Sequence, residues 1–218
     1  MTPLHAVLFD CDGVIVDSEI ASFQLFIEDL AAHGFPLTLE EFERDYIGGT
    51  VEGVGDKVRA RGGNLPADWA ENFYVKLYDM LRQGVPLIAG VEGVFDRLDQ
   101  AGIPYAVGSN GSLEKMDITL GARGLLPRFR AVLSGQAIGK PKPAPDLYLA
   151  CAAACGAAPE HCVVIEDSAA GAKAALAAGM RCFGYAEHGP DTPTARAVAA
   201  LGVPLFSRME DLPGLLGL

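Results

Sequence analysis

Six short apolar runs, separated for the most part by helical patterns, constrain the fold of this chain most strongly. They are "AVLFD" (6–10), "YAVGS" (105–109), "AVLS" (131–134), "CVVIED" (162–167), "RCFGY" (181–185) and "VPLF" (203–206). Near-continuous apolar strands that alternate with helices of about 10 to 15 residues indicate a parallel sheet covered by helices on both faces. The sequence therefore predicts an α/β fold with a doubly wound, Rossmann-like parallel sheet.

The segment from residue 15 to residue 87 interrupts this alternation, because it has helical periodicity and no convincing strand. Two apolar stripes mark its helices: Ile20, Phe23, Ile27 and Leu30, and then Trp69, Phe73, Leu77 and Leu81. A helical insertion after the first strand of an α/β core is typical of a cap domain. We therefore expect residues 15–87 to form an α-helical cap, and residues 1–14 and 88–218 to form the catalytic core.

Length and charge exclude several classes of protein. The 218 residues carry a formal net charge of −11, which repels nucleic acids and anionic membranes. The chain has no apolar run of about 18 residues and no signal-like N-terminus, so a cytoplasmic protein without membrane contact is expected. Its five cysteines form no CxxC pair, which argues against a disulfide framework or structural zinc.

The expected oligomeric state is a monomer or a weak homo-oligomer.

Polar side chains gather where the predicted strands end. They are Asp10 and Asp12 after the first strand, Ser109, Asn110 and Gly111 after the second, Lys140 and Lys142 after the third, and Glu166 and Asp167 after the fourth. Ligands of open parallel sheets bind outside the carboxyl ends of the strands. We therefore expect these groups to form one site.

The types of residue at these strand ends indicate phosphoryl-transfer chemistry. Carboxylates without His or Cys suit Mg²⁺, and the candidate ligands are Asp10, Asp12, Glu166 and Asp167. A Ser hydroxyl, backbone N–H groups beside glycine and a Lys ammonium suit the oxygens of a phosphoryl group. One carboxylate can then attack phosphorus, and a second one two residues later can protonate the leaving alcohol and activate water.

Four segments carry a family resemblance. "FDCDGVIVDSE", "GSNGS", "KPKPAPDLYL" and "VIEDSAAGAKAALAAGM" resemble, in this order, the four motifs of the haloacid dehalogenase-like hydrolase superfamily. The helical insertion resembles the small cap of its β-phosphoglucomutase-like subgroup, and "SNGS" followed by "KM" is similar to the 6-phosphogluconate phosphatase members. The resemblance covers nearly the whole chain.

The resemblance implies a role for each matching residue. Asp10 matches the nucleophile, Asp12 the general acid and base, Ser109 the phosphate-binding hydroxyl and Asp167 a Mg²⁺ ligand. Glu166 resembles the neighbouring acidic residue, which contacts the metal directly or through water. In this family the backbone carbonyl at the position of Asp12 is a further ligand.

The lysine that neutralises the phosphorylated aspartate is ambiguous in the sequence. "KPAPD" aligns Lys142 with the family motif, while "GKPKP" also offers Lys140. We favour Lys142, with Asn110 and Gly111 as further phosphate-binding positions.

The sequence predicts a Mg²⁺-dependent phosphatase that acts on a small phosphorylated metabolite, either a sugar phosphate or a sugar-acid phosphate. Asp12 argues against dehalogenation, because dehalogenases of the superfamily lack this second acid.

Two alternative functions stay open. A phosphosugar mutase of the β-phosphoglucomutase type is disfavoured, since the mutase carries a His where this chain has Ser22 and the cap shows few basic signals. The other is a non-catalytic protein that binds a phosphometabolite. Candidate substrate contacts in the cap are Gly49, Thr50 and Lys57.

Overall fold

The structure, a computed structural model, describes residues 3–46 and 50–218. The chain divides into two compact units, one made of Met1–Asp17 and Pro86–Leu218 and the other of Ser18–Val85. The sequence-based division lies at residues 14/15 and 87/88. That the smaller unit acts as a cap over an active site stays a prediction.

The smaller unit contains four helices in its described residues. They are α1 (Glu19–Ala32), α2 (Leu39–Tyr46), α3 (Val51–Ala60) and α4 (Trp69–Arg82). The predicted stripe on α4 is confirmed, because all four of its residues are buried. The stripe on α1 is only partly buried: Leu30 is fully buried, whereas Ile20 in the first turn is 49 % exposed. Apolar periodicity identifies the inward face of a helix but not how far along its length that face is covered.

The larger unit is built on a six-stranded parallel sheet with the strand order 3-2-1-4-5-6. The strands are β1 (Ala6–Phe9), β2 (Tyr105–Ser109), β3 (Val132–Ser134), β4 (Cys162–Glu166), β5 (Arg181–Tyr185) and β6 (Leu205–Phe206). Each lies within one of the six predicted runs, and every residue of β1, β2 and β4 is buried. The predicted α/β class with a doubly wound parallel sheet is confirmed.

Seven further helices belong to the larger unit. They are α5 (Val91–Ala101), α6 (Leu113–Gly121), α7 (Gly135–Ile138), α8 (Asp146–Ala154), α9 (Ala169–Ala177), α10 (Pro193–Ala199) and α11 (Leu212–Leu216). Across the described residues, no helix has both the length and the hydrophobicity that a membrane crossing requires.

The two faces of the sheet bury different kinds of side chain, because successive residues of a strand point to opposite sides. On one face, Ala6 and Leu8 belong to a core cluster with Tyr148 of α8 and the alanines of α9. On the other face, Phe9 meets Phe95 of α5 edge-on, with ring centroids 5.4 Å apart. Both faces of the central strands are thus covered. Side chains on both faces are buried, and for this reason the sequences of these strands are almost continuously apolar.

The strand order determines where a ligand can bind. The chain proceeds from β1 outward to β3 on one side and then returns to β4 on the other side of β1. The carboxyl ends of β1 and β4 therefore flank the topological switch point, where doubly wound sheets form their ligand crevice.

Candidate active site

Three of the predicted site residues lie at or beside this switch point. Asp10 follows the last residue of β1, Glu166 is the last residue of β4, and Asp167 comes next. Carboxylate oxygens of these three residues lie within 4.8 Å of one another. The strands thus bring Asp10 to the same edge of the sheet as Glu166 and Asp167, which lie more than 150 residues later in the chain.

Lys142 connects two of these carboxylates. Its ammonium nitrogen lies 2.5 Å from Asp10 Oδ1 and 2.6 Å from Glu166 Oε1, and its side chain is only 4 % exposed. Burial acts to lower the pKa of Lys142, but the charges of Asp10 and Glu166 outweigh it and raise the pKa above the usual value. The lysine is therefore held as a cation next to Asp10.

Asp10 and Glu166 respond differently to the same lysine. Burial raises the pKa of Asp10 to about 7, against the lowering effect of Lys142. Burial also acts to raise the pKa of Glu166, but Lys142 and several hydrogen bonds hold it below its ordinary value. Glu166 is thus held ionised as the counterion of Lys142, whereas burial favours the neutral form of Asp10.

The surroundings of Glu166 explain this difference. The hydroxyl of Tyr148 donates to Oε1 at 2.8 Å, and the backbone N–H and hydroxyl of Ser168 both donate to Oε2 at 2.9 Å. A Cβ atom at Gly171, in the first turn of α9, would overlap the Glu166 carboxylate. The tight packing at Gly171 and the paired hydrogen bonds fix Glu166 in one orientation.

The cluster of Asp10, Glu166 and Asp167 fits a small divalent cation. Its donors are all oxygens, and Mg²⁺ prefers oxygen ligands at about 2.0–2.1 Å. Each oxygen of Glu166 already accepts two hydrogen bonds from the protein. These hydrogen bonds make Glu166 the anchor of Lys142, and the direct ligation of a cation by Asp10 and Asp167 stays a prediction.

Asp12 lies in the turn that follows β1 and pairs with a different lysine. Its Oδ1 accepts a hydrogen bond from Lys115 Nζ at 2.7 Å. Gly13 continues the turn with a φ of 73°, and a Cβ atom there would overlap Asp167 Oδ2. Only glycine allows both this left-handed backbone conformation and so close an approach to a side chain. Gly13 therefore lets the turn after β1 pass beside the carboxylate of Asp167.

The loop after β2 holds the remaining predicted phosphate-binding residues. The N–H of Gly111 donates to Ser109 Oγ at 3.0 Å, and the carbonyl of Gly111 accepts from Ser134 Oγ at 2.6 Å. The side chain of Asn110 contacts the backbone of Lys142, and its predicted binding of phosphate stays a prediction. Its side chain accepts from the N–H of Lys142 at 2.8 Å and donates to the carbonyl of Lys142 at 3.2 Å. The amide thus fixes the backbone of Lys142, whose side chain contacts Asp10 and Glu166.

The structure distinguishes the two candidate lysines. Lys140 Nζ lies 2.6 Å from Asp146 Oδ1, and its side chain is 61 % exposed. Lys142 is buried against Asp10. The geometry therefore places Lys142, and not Lys140, in the cluster of acidic residues.

Two of the three candidate cap residues contact other residues of the helical unit. Gly49 lies outside the described residues. The hydroxyl of Thr50 accepts from the N–H of Gly53 and caps α3. Lys57 donates to the carbonyl of Asp45 at 2.8 Å. A contact of any of the three with substrate stays a prediction.

Two site residues, Lys115 and Tyr148, were not among the predicted ones. Tyr148 lies in the "KPKPAPDLYL" segment, and Lys142 Nζ lies 4.8 Å from the centre of its ring. Lys115 follows "GSNGS" as the third residue of a helix that begins at the edge of the sheet. A basic residue in the first turn of a helix opposes the helix dipole, and this was the available signal.

Comparison with known proteins agrees with this geometry. The sequence model of the haloacid dehalogenase-like hydrolases matches residues 4–179. The chain belongs to this family. The 6-phosphogluconate phosphatase of Escherichia coli K12 is 30 % identical over 221 residues, which cover 99 % of this chain and 96 % of that protein. A crystal structure of a family hydrolase from Deinococcus radiodurans R1, with bound phosphate and sodium, is 31 % identical, has a TM-score of 0.83, and matches 100 % of this chain and 96 % of that one.

A longer relative shows that the family domain also occurs within larger proteins. SUPPRESSOR OF QUENCHING 1, a chloroplastic protein of Arabidopsis thaliana, is 35 % identical over 191 residues, which cover 83 % of this chain. This chain spans only 18 % of the plant protein's length. The matches confirm the predicted family and, with it, the predicted enzyme class of haloacid dehalogenase-like phosphatase.

Proposed function

We propose that the protein is a Mg²⁺-dependent phosphatase that hydrolyses a small sugar phosphate or sugar-acid phosphate through a phosphorylated Asp10. The observation that carries the proposal is the position of Asp10. Its carboxylate lies beside the buried ammonium of Lys142 at the switch point of the sheet, within reach of Asp167. Asp12, two residues later, supplies a second carboxylate on the same turn.

The reaction has two half-reactions that use the same pair of carboxylates. In the first, an oxygen of Asp10 bonds to phosphorus, the bond from phosphorus to the ester oxygen breaks, and Asp12 gives its proton to the leaving alcohol. In the second, water attacks the phosphorylated Asp10 while Asp12 takes a proton from it. The bond from phosphorus to the Asp10 oxygen breaks, and inorganic phosphate leaves. Asp10 is regenerated as a carboxylate and Asp12 as an acid.

The phosphoryl oxygens are bound by the groups around Asp10. Ser109 Oγ accepts the N–H of Gly111, so its own hydrogen is available to a phosphoryl oxygen. Lys142 supplies a positive charge beside the atom that attacks phosphorus. Charge-assisted hydrogen bonds of this kind stabilise the negative charge that phosphoryl transfer concentrates in the site.

Asp10, Asp167 and, as the family resemblance implies, the backbone carbonyl of Asp12 would hold the Mg²⁺ ion. When bound, the ion supplies positive charge to the phosphoryl oxygens and favours the ionised form of Asp10. The donor set supports a divalent cation, because Asp10, Glu166 and Asp167 bring three carboxylate oxygens within 4.8 Å of one another.

The substrate class rests on the relatives and on the cations of the helical unit. The Escherichia coli relative is named for a sugar-acid phosphate. A mutase must also hold a second phosphate group, which requires cations in the cap. Lys57 of the helical unit donates to a backbone carbonyl. Five other basic side chains of this unit form ion pairs with carboxylates: Arg44, Arg59, Arg61, Lys76 and Arg82. These pairings favour simple hydrolysis over the mutase reaction.

The test is phosphate release from a panel of sugar phosphates, sugar-acid phosphates and p-nitrophenyl phosphate, with Mg²⁺ and with excess chelator. We expect metal-dependent release that is strongest for one sugar or sugar-acid ester, with a loss of about 10²-fold or more on chelation. A mutase control contains β-glucose 1-phosphate and a bisphosphate primer. Release that is insensitive to chelator, or isomerisation faster than release, would contradict the proposal.

A further inference from the structure

Lys115 occupies a position that local energetics disfavour. It is the third residue of α6, after the capping residue Ser112, whose hydroxyl accepts the N–H of Lys115. The N-terminus of a helix carries partial positive charge, so a cation in the first turn is unfavourable there. The side chain of Lys115 is also only 22 % exposed. A compensating contact must offset both costs.

That contact is the ion pair with Asp12, whose Oδ1 lies 2.7 Å from Lys115 Nζ. The two residues are 103 positions apart in the chain. We propose that Lys115 is a positioning residue that fixes the carboxylate of Asp12 for proton transfer. This inference rests on the proposed function, in which Asp12 exchanges protons with the leaving alcohol and with water.

The geometry around Gly111 shows where the second oxygen of Asp12 lies. A Cβ atom at Gly111 would lie 3.3 Å from Ser109 Oγ, 3.8 Å from Asp12 Oδ2 and 3.8 Å from Lys115 Cδ. Glycine therefore leaves open the space that these three groups border. Lys115 binds Oδ1, and Oδ2 borders this space together with the phosphate-binding hydroxyl. The ion pair thus holds the Asp12 carboxylate with Oδ2 on the side of Ser109, where the proposed function places the phosphoryl group.

A positioning role differs measurably from a direct contact between Lys115 and substrate. Protonation of the leaving group matters for a sugar ester, whose alkoxide is a poor leaving group, and matters little for p-nitrophenyl phosphate. Replacing a residue that acts through Asp12 should therefore lower kcat/KM strongly for the sugar ester and only slightly for p-nitrophenyl phosphate. A residue that binds the phosphoryl group should affect both esters alike.

The experiment compares Lys115→Met, Asp12→Asn and the double variant on p-nitrophenyl phosphate and on the best sugar ester of the panel. We expect Lys115→Met to lower kcat/KM on the sugar ester by about 10- to 100-fold and on the aryl ester by less than about threefold. The double variant should be no slower than Asp12→Asn alone, because both changes remove the same function. Lys115→Arg should recover part of the lost activity.

Two controls separate positioning from misfolding and from general loss of charge. Lys173→Met removes an exposed lysine of α9 and should leave both activities unchanged. Thermal unfolding of each variant reports whether it folds, and the aryl ester activity of Lys115→Met provides an independent measure of an intact site.

The outcomes distinguish this inference from the proposed function. Equal losses on both esters in Lys115→Met, or losses that multiply in the double variant, would overturn the positioning role while the selective loss in Asp12→Asn still supports the phosphatase mechanism. If Asp12→Asn itself lowers kcat/KM, which reports the first half-reaction, equally on both esters, the acid role of Asp12 fails and the positioning role fails with it.

Discussion

Replacing Asp10 with Asn should lower kcat on every ester by at least about 10⁴-fold, because a carboxamide oxygen cannot act as the nucleophile. The change keeps the shape of the side chain and removes one negative charge from a buried cluster. We measure steady-state phosphate release under saturating Mg²⁺ and substrate. Retention of even a tenth of the normal activity would show that Asp10 is not the nucleophile.

The same variant should remain folded, and the pKa of Asp10 predicts the sign of its stability change. Burial raises this pKa from 3.8 to about 7, so the folded state binds the proton more tightly than the unfolded state does. Without divalent cation, the wild-type protein should therefore lose stability as the pH rises from about 4 to about 7. Asn carries no charge, so the variant's melting temperature at pH 8 without divalent cation should not fall below that of wild type. Asp191→Asn, at a side chain that is 90 % exposed, is the matched control.

Replacing Lys142 with Met should damage both catalysis and stability. The side chain contacts Asp10 and Glu166, and Glu166 is fully buried. Removing the cation leaves a buried carboxylate without its counterion, which typically costs about 3–5 kcal/mol of unfolding free energy. We expect kcat/KM to fall by about 10³-fold, since the charge beside the nucleophile is lost in the transition state.

Lys140→Met is the matched control for this prediction, because it removes the same group two residues away. The ion pair of Lys140 with Asp146 is exposed, and exposed pairs contribute little to stability. Its activity and denaturant midpoint should stay close to those of wild type. If Lys140→Met lost more activity than Lys142→Met, the assignment of the two lysines would have to be exchanged.

The sheet and most of the site could be predicted because their signals are local. An apolar run followed by Asp or by "ED" shows both the strand and the polar group at its end, as at Asp10 and Glu166. The parallel arrangement then brings these ends to one edge. The order of the strands, and with it the switch point between β1 and β4, became visible only in the structure.

The features of the site that the sequence did not predict depend on contacts between residues that are distant in the chain. The pairing of Lys115 with Asp12 and of Tyr148 with Glu166 joins segments that no local pattern relates. The two hydrogen bonds between the Asn110 side chain and the backbone of Lys142 likewise join distant segments and could not be predicted from the motif. The motif alignment favoured Lys142 over Lys140, and the structure adds that Lys142 is buried beside Asp10 whereas Lys140 is exposed.

The central claim, that Asp10 becomes phosphorylated, can be tested by chemical trapping. The protein is mixed with its best ester and Mg²⁺, quenched in acid during turnover and reduced with borohydride, which converts an acyl phosphate of aspartate to homoserine. Mass spectrometry of the peptide that contains residues 6–19 then locates the modified position. We expect homoserine at position 10, in an amount that disappears when substrate is omitted. Homoserine at another position, or none while phosphate release continues, would contradict the account.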